Sequence, residues 1–441
     1  MKKGIALFLA TVLMLSMMAG CGSTSAPKAE SSSVSNEPTV SDKKIELTMW
    51  DVRTEGPAAV MIDKINAEFT KVNPNITVKR SAFKVDDLRN TIKPAINSGK
   101  GPDIFSYDAG AGYLGVLADS GLALDMTKYA DQFGWKDRFH DWALEKTIYN
   151  DKMYGIANEL EVLGVYYNKK LFADAGVNPP KTYDEFLEVC KTFKEKGITP
   201  VVLDDKDQWP GFHLESMWLN SLVGPDKVKE AVANKAAWNR PEFGIAMDKL
   251  YELVKLGYTT EKPLGVSSED NNLVFFSGKG AMRPTGTWLA GNAVEKMGDN
   301  VGFFYLPSAS SDIPLAAPGG LGEAVVVNGK TKNADAAMKY VDFLFSKDMV
   351  KIWYEAGFIP SLKDVDYSSF KLSALFKTIV DEINNATDLG VNIDVVMPPK
   401  VNDVTMNYVQ ELLAGKKSGQ ECMDQKEKTF KDEIAAGSYK P

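Results

Sequence analysis

The sequence predicts an α/β fold with enough length for two hydrophobic cores. The chain has 441 residues, of which 44% are hydrophobic and 25% charged, an ordinary globular composition. Short apolar runs alternate with longer runs of helical period along most of its length. Such alternation is typical of sheets built from βαβ units.

The first segments of the globular part carry this alternation. Residues 45–50 predict a strand, because apolar side chains occupy every second position, and residues 58–70 predict a helix. Residues 76–78 predict a second strand, residues 86–97 a second helix, and residues 103–107 a third strand.

The middle of the chain continues in the same way. Residues 150–152 predict a hairpin turn, and residues 162–167 a buried strand. A helix is expected over residues 183–196, with Thr182 as its N-cap and Glu185 completing a capping box.

The N-terminus has the design of a secretory signal. Lys2 and Lys3 precede a short apolar run over residues 5–18, and small residues then lead to Cys21. The string Met18-Ala-Gly-Cys21 resembles the lipobox of bacterial lipoproteins, which predicts a signal peptide over residues 1–20 and a lipid on Cys21. The alternative is a plain secretory signal with an unrelated cysteine.

The segment after the signal has a composition of its own. Residues 21–42 are rich in serine and contain almost no large apolar side chain, so they predict a flexible linker. In the remaining chain Cys190 and Cys422 are the only cysteines, and they are expected to be two buried thiols.

Composition and motifs exclude several function classes. The net charge is −8 and the pI is about 5.2, which argues against a nucleic-acid partner. The only histidines are His140 and His213, without clustered cysteines or an H-E-x-x-H motif, so no metal site is expected. No G-x-S-x-G motif indicates a serine hydrolase.

One glycine motif suggests a nucleotide cofactor at first sight. Gly110, Gly112 and Gly115 fit G-x-G-x-x-G directly after a strand. The motif lacks the strand and the acidic residue that should follow it in a dinucleotide-binding unit, because residues 124–133 show no strand. No cofactor is therefore expected.

Tryptophans and paired acids remain as candidate binding groups. Trp50, Trp209, Trp218 and Trp288 lie near predicted element ends or beside glycine or proline, where an indole can face a sugar ring. The competing interpretation is core packing for each of them. Glu159 and Glu161 alternate on one strand face and could also serve a glycoside hydrolase.

Several short strings follow one another along the chain: 47–50 (LTMW), 98–104 (SGKGPDI), 175–186 (AGVNPPKTYDEF), 276–282 (FSGKGAM) and 286–288 (GTW). In this order they resemble the family 1 extracellular solute-binding proteins, and the likeness covers nearly all of residues 43–441. Ala157 departs from the family, which usually has proline there. The resemblance implies a two-lobed periplasmic-binding-protein-like fold, with each lobe a sheet flanked by helices and a ligand cleft at a hinge.

The resemblance also implies a division of the chain. We expect these parts: residues 43–155 and 306–360 form lobe one, residues 156–305 form the first part of lobe two, and residues 361–441 add its C-terminal helices.

Site residues follow from the resemblance and from position. Tyr107, Glu161 and Trp288 match sugar-contacting positions, with stacking roles for Tyr107 and Trp288 and hydroxyl acceptance for Glu161. By position alone, further ligand contacts are expected from Asp51, Arg53, Glu55, Asp108, Glu159, Trp209, Phe212 and His213, the last three in a loop of lobe two.

These features predict a non-enzymatic binding lipoprotein on the outer face of the bacterial cell membrane. It would act as a monomer, close on a carbohydrate, an oligosaccharide in particular, and deliver it to an ABC transporter permease. Two alternatives stay open: a surface glycoside hydrolase, and the same transport role for a polyamine, peptide or anion.

Overall fold

The structure, a computed structural model, describes residues 44–110, 112–320, 322–385 and 389–439. The predicted signal peptide, the lipidation site Cys21 and the linker over residues 21–42 lie outside the described residues. Among the described residues, no helix is long and apolar enough to cross a membrane.

The first sheet has five strands in the order β2-β1-β3-β12-β6. These are β1 (Ile45–Asp51), β2 (Ile76–Ala82), β3 (Ile104–Asp108), β6 (Ile156–Ala157) and β12 (Glu323–Val327). β1 pairs in parallel with β2 and β3, whereas β12 runs antiparallel to β3 and β6. We call this sheet and its helices lobe one.

The second sheet has the order β13-β11-β7-β9-β8, and a sixth strand, β10, also pairs with β7. Its strands are β7 (Glu161–Asn168), β8 (Thr199–Val201), β9 (Gly280–Gly286), β10 (Val301–Phe304), β11 (Pro318–Gly320) and β13 (Gly390–Val391). β7 runs antiparallel to β9, β10 and β11. We call this sheet and its helices lobe two.

Helices cover both sheets. Those of lobe one are α1 (Gly56–Val72), α2 (Val85–Asn97), α3 (Leu114–Asp119), α4 (Thr127–Gln132), α5 (Trp135–Arg138), α6 (Asp141–Glu145), α14 (Ala334–Leu344) and α15 (Lys347–Glu355). Those of lobe two are α7 (Lys169–Ala175), α8 (Tyr183–Glu195), α9 (Trp209–Leu222), α10 (Pro225–Val232), α11 (Pro241–Lys255), α12 (Ser268–Phe276), α13 (Ala290–Met297), α16 (Ala374–Asn385), α17 (Pro399–Leu413) and α18 (Gly419–Ala435).

Most predicted local signals are confirmed where the structure describes them. The N-cap oxygen of Thr182 accepts a hydrogen bond from the backbone of Glu185 and starts α8. The predicted capping box is incomplete, because the Glu185 side chain accepts from the backbone N–H of Lys181, at 2.7 Å, instead of from that of Thr182. β4 (Ile148–Tyr149) and β5 (Lys152–Met153) form a hairpin whose turn residues, Asn150 and Asp151, have positive φ. Cys190 and Cys422 are buried free thiols.

The loop predicted for Trp209, Phe212 and His213 is wrong, because these residues form the first turns of α9. Pro210 stands in the first turn, where its fixed φ favours a helix and its missing N–H is not needed. The helix therefore begins at Trp209, within the segment predicted to be a loop.

Two short strands each belong to the sheet of the other lobe from the one predicted for their residues. β6 pairs with β12 in the first sheet, although residues 156–305 were assigned to lobe two. β11 pairs with β7 in the second sheet, although residues 306–360 were assigned to lobe one. The lobe boundaries themselves stay a prediction.

Segments that connect the two sheets carry acidic residues. The chain leaves the first sheet at β6 and enters the second at β7, and Glu159 and Glu161 lie in or next to this connection. It returns from β11 to β12, which begins with Glu323. Glu159 also forms an isolated bridge with Pro360, on a further connecting segment. The connections thus bring carboxylates to the junction of the lobes.

Candidate functional site

A cavity of about 300 Å³ lies where strand ends of the two sheets face each other. From lobe one, the ends of β1 and β3 and the start of β12 contribute residues, since Glu323 pairs in register with Asp108. From lobe two, the end of β9 and the start of β7 lie together, since Gly286 pairs with Leu163. Crevices outside strand carboxyl ends are the usual ligand sites of α/β sheets.

Nine of the eleven side chains expected to contact ligand line this cavity. They are Arg53, Glu55, Tyr107, Asp108, Glu159, Glu161, Trp209, His213 and Trp288. The structure thus brings together residues more than 200 positions apart in sequence.

Asp51 and Phe212 do not line the cavity. The Asp51 carboxylate is fully buried, where it accepts hydrogen bonds from Arg80 Nε at 2.6 Å and from the backbone N–H of Arg53 at 2.8 Å. Phe212 is 1% exposed and packs in the core of lobe two. On α9 its side chain points away from the face shared by Trp209 and His213, which are four residues apart.

Three rings form an aromatic wall on the lobe-two side. The ring centroids of Trp209 and Trp288 lie 6.1 Å apart, and the His213 ring lies 5.2 Å from Trp288. His213 Nε2 also lies 3.2 Å from Asp394 Oδ2. The wall offers partly buried ring surface to a ligand.

Glycine at the end of β9 shapes this wall. A Cβ at Gly286 would overlap the six-membered ring of Trp288, so the indole folds back over the glycine. Trp288 itself lies in a short 3₁₀ turn, Thr287–Leu289. The absence of a side chain at position 286 is what allows this ring position.

A carboxylate cluster formed by Glu159, Glu161 and Glu323 lines the same cavity around Arg53. Arg53 Nη2 donates to Glu159 Oε1 at 2.9 Å, and Arg53 Nη1 donates to Glu323 Oε1 at 2.7 Å. The guanidinium also stacks near the rings of Trp353 and Phe358, at 5.7 and 5.5 Å. Arg53 therefore holds two carboxylates in place.

Glu161 has a different environment from its neighbours. Among the residues that the structure describes, no hydrogen bond or ion pair reaches its carboxylate. Burial raises the pKa of Glu161 well above its usual range, and the charges of Glu159, Glu323 and Asp394 raise it further. Burial likewise raises the pKa of Glu159 to about 7, although Arg53 opposes the change.

A second ion pair borders the cavity on lobe one. Arg89 Nε donates to Asp108 Oδ2 at 2.8 Å, and Arg89 Nη2 donates to Asp108 Oδ1 at 2.5 Å. The guanidinium carbon of Arg89 lies 5.1 Å from the centre of the Tyr113 ring, and Tyr113 packs edge-on against Tyr107. Asp108 is thus held by a bidentate partner.

The sequence interpretation did not select several lining residues: Arg89, Tyr113, Glu269, Asn272, Asn292, Glu323, Asn392 and Asp394. Most of them are polar groups on segments far apart in the chain, and only pairing such as that of Glu323 with Asp108 brings them together. Their acidic members outnumber the arginines of the cavity, and Arg53 and Arg89 both form ion pairs with carboxylates.

The described residues bear on two other kinds of chemistry, metal binding and nucleotide binding. Among them, no group of three or more His, Cys, Asp or Glu side chains is arranged to hold a metal ion. Gly110 and Gly112 of the glycine motif approach backbone atoms of Val395 and Met397. That space is therefore filled by protein.

Comparison with known proteins decides the family. Residues 64–377 match the family described as bacterial extracellular solute-binding protein. The chain belongs to this family. The expected resemblance and the two-lobed α/β fold are confirmed.

Two relatives of this solute-binding protein have names that refer to sugar binding or transport. The maltooligosaccharide ABC transporter solute-binding lipoprotein of Streptococcus pneumoniae serotype 4 is 27% identical, over 95% of this chain and 93% of the relative. The multiple sugar-binding protein of Streptococcus mutans is 26% identical, over 72% of this chain and 75% of the relative.

Solved structures agree with the fold of this solute-binding protein. A chitin oligosaccharide binding protein superposes with a TM-score of 0.79 at 25% identity, covering 89% of this chain and 99% of the other. A structure from work on xylan utilisation by Caldanaerobius polysaccharolyticus gives a TM-score of 0.79 at 26% identity, covering 87% and 99%.

Proposed function

We propose that this protein captures a carbohydrate, an oligosaccharide in particular, and delivers it to the permease of an ABC transporter. The observation that carries the proposal is one cavity with an aromatic wall, Trp209–His213–Trp288, and a carboxylate cluster around Arg53. Aromatic faces suit the C–H faces of a pyranose, while carboxylates accept hydrogen bonds from its hydroxyls. The names of the sugar-binding relatives support the same ligand class.

The roles of the cavity residues follow from their partners. Trp288 and Tyr107 stack on sugar rings. Glu161, which has no hydrogen-bond or ion-pair partner among the described residues, accepts hydrogen bonds from sugar hydroxyl groups. Arg53 was expected to contact the ligand. Two of its guanidinium nitrogens donate hydrogen bonds to Glu159 and Glu323, so it orients these carboxylates instead. A neutral polyol fits this cavity better than an anion, because Arg53 and Arg89 are already paired.

Capture takes place by hinge closure of the two lobes. Ligand contacts from both lobes stabilise the closed state, because the open state offers only one set of them. The connecting segments at Glu159, Glu161 and Glu323 act as the hinge, so closure brings the two cavity walls together around the same residues.

The protein binds its solute without transforming it and works as a monomer tethered outside the cell membrane by a lipid on Cys21. Glu159 forms an ion pair with the buried guanidinium of Arg53 at 2.9 Å, a fixed position that suits ligand orientation. A protein of this kind should leave oligosaccharides unchanged after long incubation, whereas a glycoside hydrolase would shorten them.

A thermal-shift panel tests the ligand class. Neutral mono- and oligosaccharides are compared with spermidine, a tetrapeptide and a sugar phosphate, since a solute bound only by the folded state raises the melting temperature. We expect a concentration-dependent rise for at least one oligosaccharide. A rise with spermidine or the peptide alone would contradict the carbohydrate assignment and leave solute capture in place.

A further inference from the structure

The glycine motif after β3 has no role in a nucleotide site, but it lies at the rim of the cavity. Gly110 and Gly112 belong to lobe one and follow Asp108, which lines the cavity. Opposite them lies the lobe-two segment over residues 395–399, whose first residue, Val395, also lines the cavity. This rim is therefore a place where the two lobes touch.

The contact is between backbones, without intervening side chains. A Cβ at Gly110 would overlap the carbonyl oxygen of Val395. A Cβ at Gly112 would lie 3.0 Å from the carbonyl oxygen of Met397 and 3.4 Å from the nitrogen of Pro399. A side chain at Gly110 would force these backbones apart, whereas a Cβ at Gly112 would need Met397 to move by a few tenths of an ångström and a larger side chain would need more.

The lobe-two side of this contact is held firmly. The backbone N–H of Ile393 donates to Ser216 Oγ on α9 at 3.0 Å, and Met397 is fully buried in the core of lobe two. Pro398 and Pro399 restrict the backbone at the start of α17. A clash with this segment is therefore relieved most easily by moving the lobes apart.

Two other contacts between the lobes are easier to displace. Lys84 and Glu269 form an ion pair at 2.7 Å across the cavity mouth, but both side chains are exposed, so the pair contributes little. Gly56 faces the side-chain amide of Asn292, which can rotate away. A second backbone contact joins α13 to the segment after α15, where a Cβ at Gly291 would overlap the carbonyl oxygen of Ala356, but these residues do not line the cavity. The contact at Gly110 and Gly112 is the backbone-limited one at the cavity rim.

We propose that Gly110 and Gly112 set how closely the two lobes approach each other, and thereby set ligand affinity without contacting the ligand. This inference rests on the proposed closure around a solute. The two glycines make the fully closed state accessible, and a side chain there would hold the lobes at a wider angle and lower the population of the binding-competent state.

Gly112 is the position for the test. Gly110 has a φ of 98°, so substitution there strains the backbone in any state. Gly112 has no such φ, and the variants Gly112→Ala and Gly112→Val present a graded clash. The matched control is Gly265→Val, because a Cβ at the exposed Gly265 meets nothing within 4 Å.

The measurement is the distance between spin labels on the two lobes, placed at Lys93→Cys on α2 and Lys191→Cys on α8, both exposed. The native thiols Cys190 and Cys422 are buried, and Cys21→Ser removes the remaining one. Distances are recorded without sugar and with maltotriose, xylotriose, chitotriose and raffinose.

We expect the shortest distance population of the parent to shrink in Gly112→Ala and to vanish in Gly112→Val, while Gly265→Val keeps it. Affinity for any sugar that binds should fall roughly tenfold in Gly112→Val, in proportion to the loss of the closed state, with an unchanged melting temperature.

A Gly112→Val protein that reaches the parental short distance overturns the inference, as does a parent that shows no short distance in any condition. If no sugar binds but the ligand-free distances change as expected, the closure role stands and the carbohydrate assignment fails.

Discussion

Trp288 combines a partly buried indole with a glycine directly beneath it. The ring packs over Gly286, contacts Trp209 and His213, and still lines the cavity. Trp288 is therefore placed both for core packing and for the proposed ligand stacking, and a measurement of stability together with affinity separates the two.

Trp288→Ala should weaken sugar affinity at least roughly tenfold, which corresponds to about 1.4 kcal/mol, because the main stacking surface is lost. Calorimetric titration gives the affinity, and thermal unfolding of the same sample gives the stability. Trp218→Ala is the control, since Trp218 is fully buried and does not line the cavity. It should lower the melting temperature and leave the affinity of the folded protein intact. Parental affinity in Trp288→Ala would rule out its stacking role.

Glu161 makes stability depend on pH. Burial and neighbouring carboxylates raise the pKa of Glu161 well above its usual range in the folded protein. The folded state therefore keeps a proton that the unfolded state releases above about pH 4.3. Stability should fall as the pH rises from that point through the folded-state pKa.

Glu161→Gln removes this proton and should flatten the decline in unfolding free energy between pH 5 and pH 8. Each unit of pKa corresponds to about 1.4 kcal/mol, so denaturant unfolding at both pH values resolves the difference. Glu55→Gln removes an exposed carboxylate of the same cavity and isolates the general effect of lost charge. A Glu161→Gln protein with the parental decline would contradict the prediction.

At the scale of elements, α9 has two functions along its length. Its first turns bring Trp209 and His213 to the cavity, while Phe212 and Trp218 pack in the core. Farther along, Glu215 is fully buried and accepts hydrogen bonds from Lys426 Nζ on α18 at 2.9 Å and from the Tyr408 hydroxyl on α17 at 2.7 Å. The C-terminal helices are thus tied to the helix that carries two of the three rings of the aromatic wall.

Lys426→Met should destabilise the protein by about 3 kcal/mol, because it leaves the Glu215 carboxylate buried without its cationic partner. Urea unfolding measures the loss. The double variant Lys426→Met/Glu215→Leu should recover most of it, since an apolar pair of similar volume can replace a buried ion pair. A single variant as stable as the parent would show that the pair does not hold α18 on α9.

At the scale of the whole molecule, the segments that connect the two sheets are also part of the candidate binding site. The segments that join the sheets carry Glu159, Glu161 and Glu323, so the proposed hinge also contributes polar groups to the cavity. A ligand that contacts these residues would contact the proposed hinge and both walls of the cavity together, and would thereby favour the closed state.

The proposed membrane anchor depends on Cys21. Cys21→Ser should move the protein from the membrane fraction to the medium or periplasm, because no lipid can then be attached. Immunoblots of fractionated cells measure the change, with Cys190→Ser as the control, since Cys190 is a buried thiol. A Cys21→Ser protein that stays with membranes would contradict the lipoprotein assignment.

The sequence by itself determined the fold class and the local signals. Period-two and helical periodicity identified β1, β3, β7 and α8, because these patterns depend only on which face of an element is buried. The Gly286-Thr-Trp288 string pointed to a tryptophan that lines the cavity, since a glycine two residues away leaves space for an indole.

Only the tertiary structure decided which polar groups meet and which leave the site. The orientation of Phe212 depends on where α9 starts, and a shift in that start rotates the side chain from cavity to core. Arg53, Glu159 and Glu323 come from three distant segments, and the antiparallel pairing of β12 with β3 brings the third to the first two. Side-chain partners at such separation depend on strand register and chain connection, which local sequence patterns do not encode.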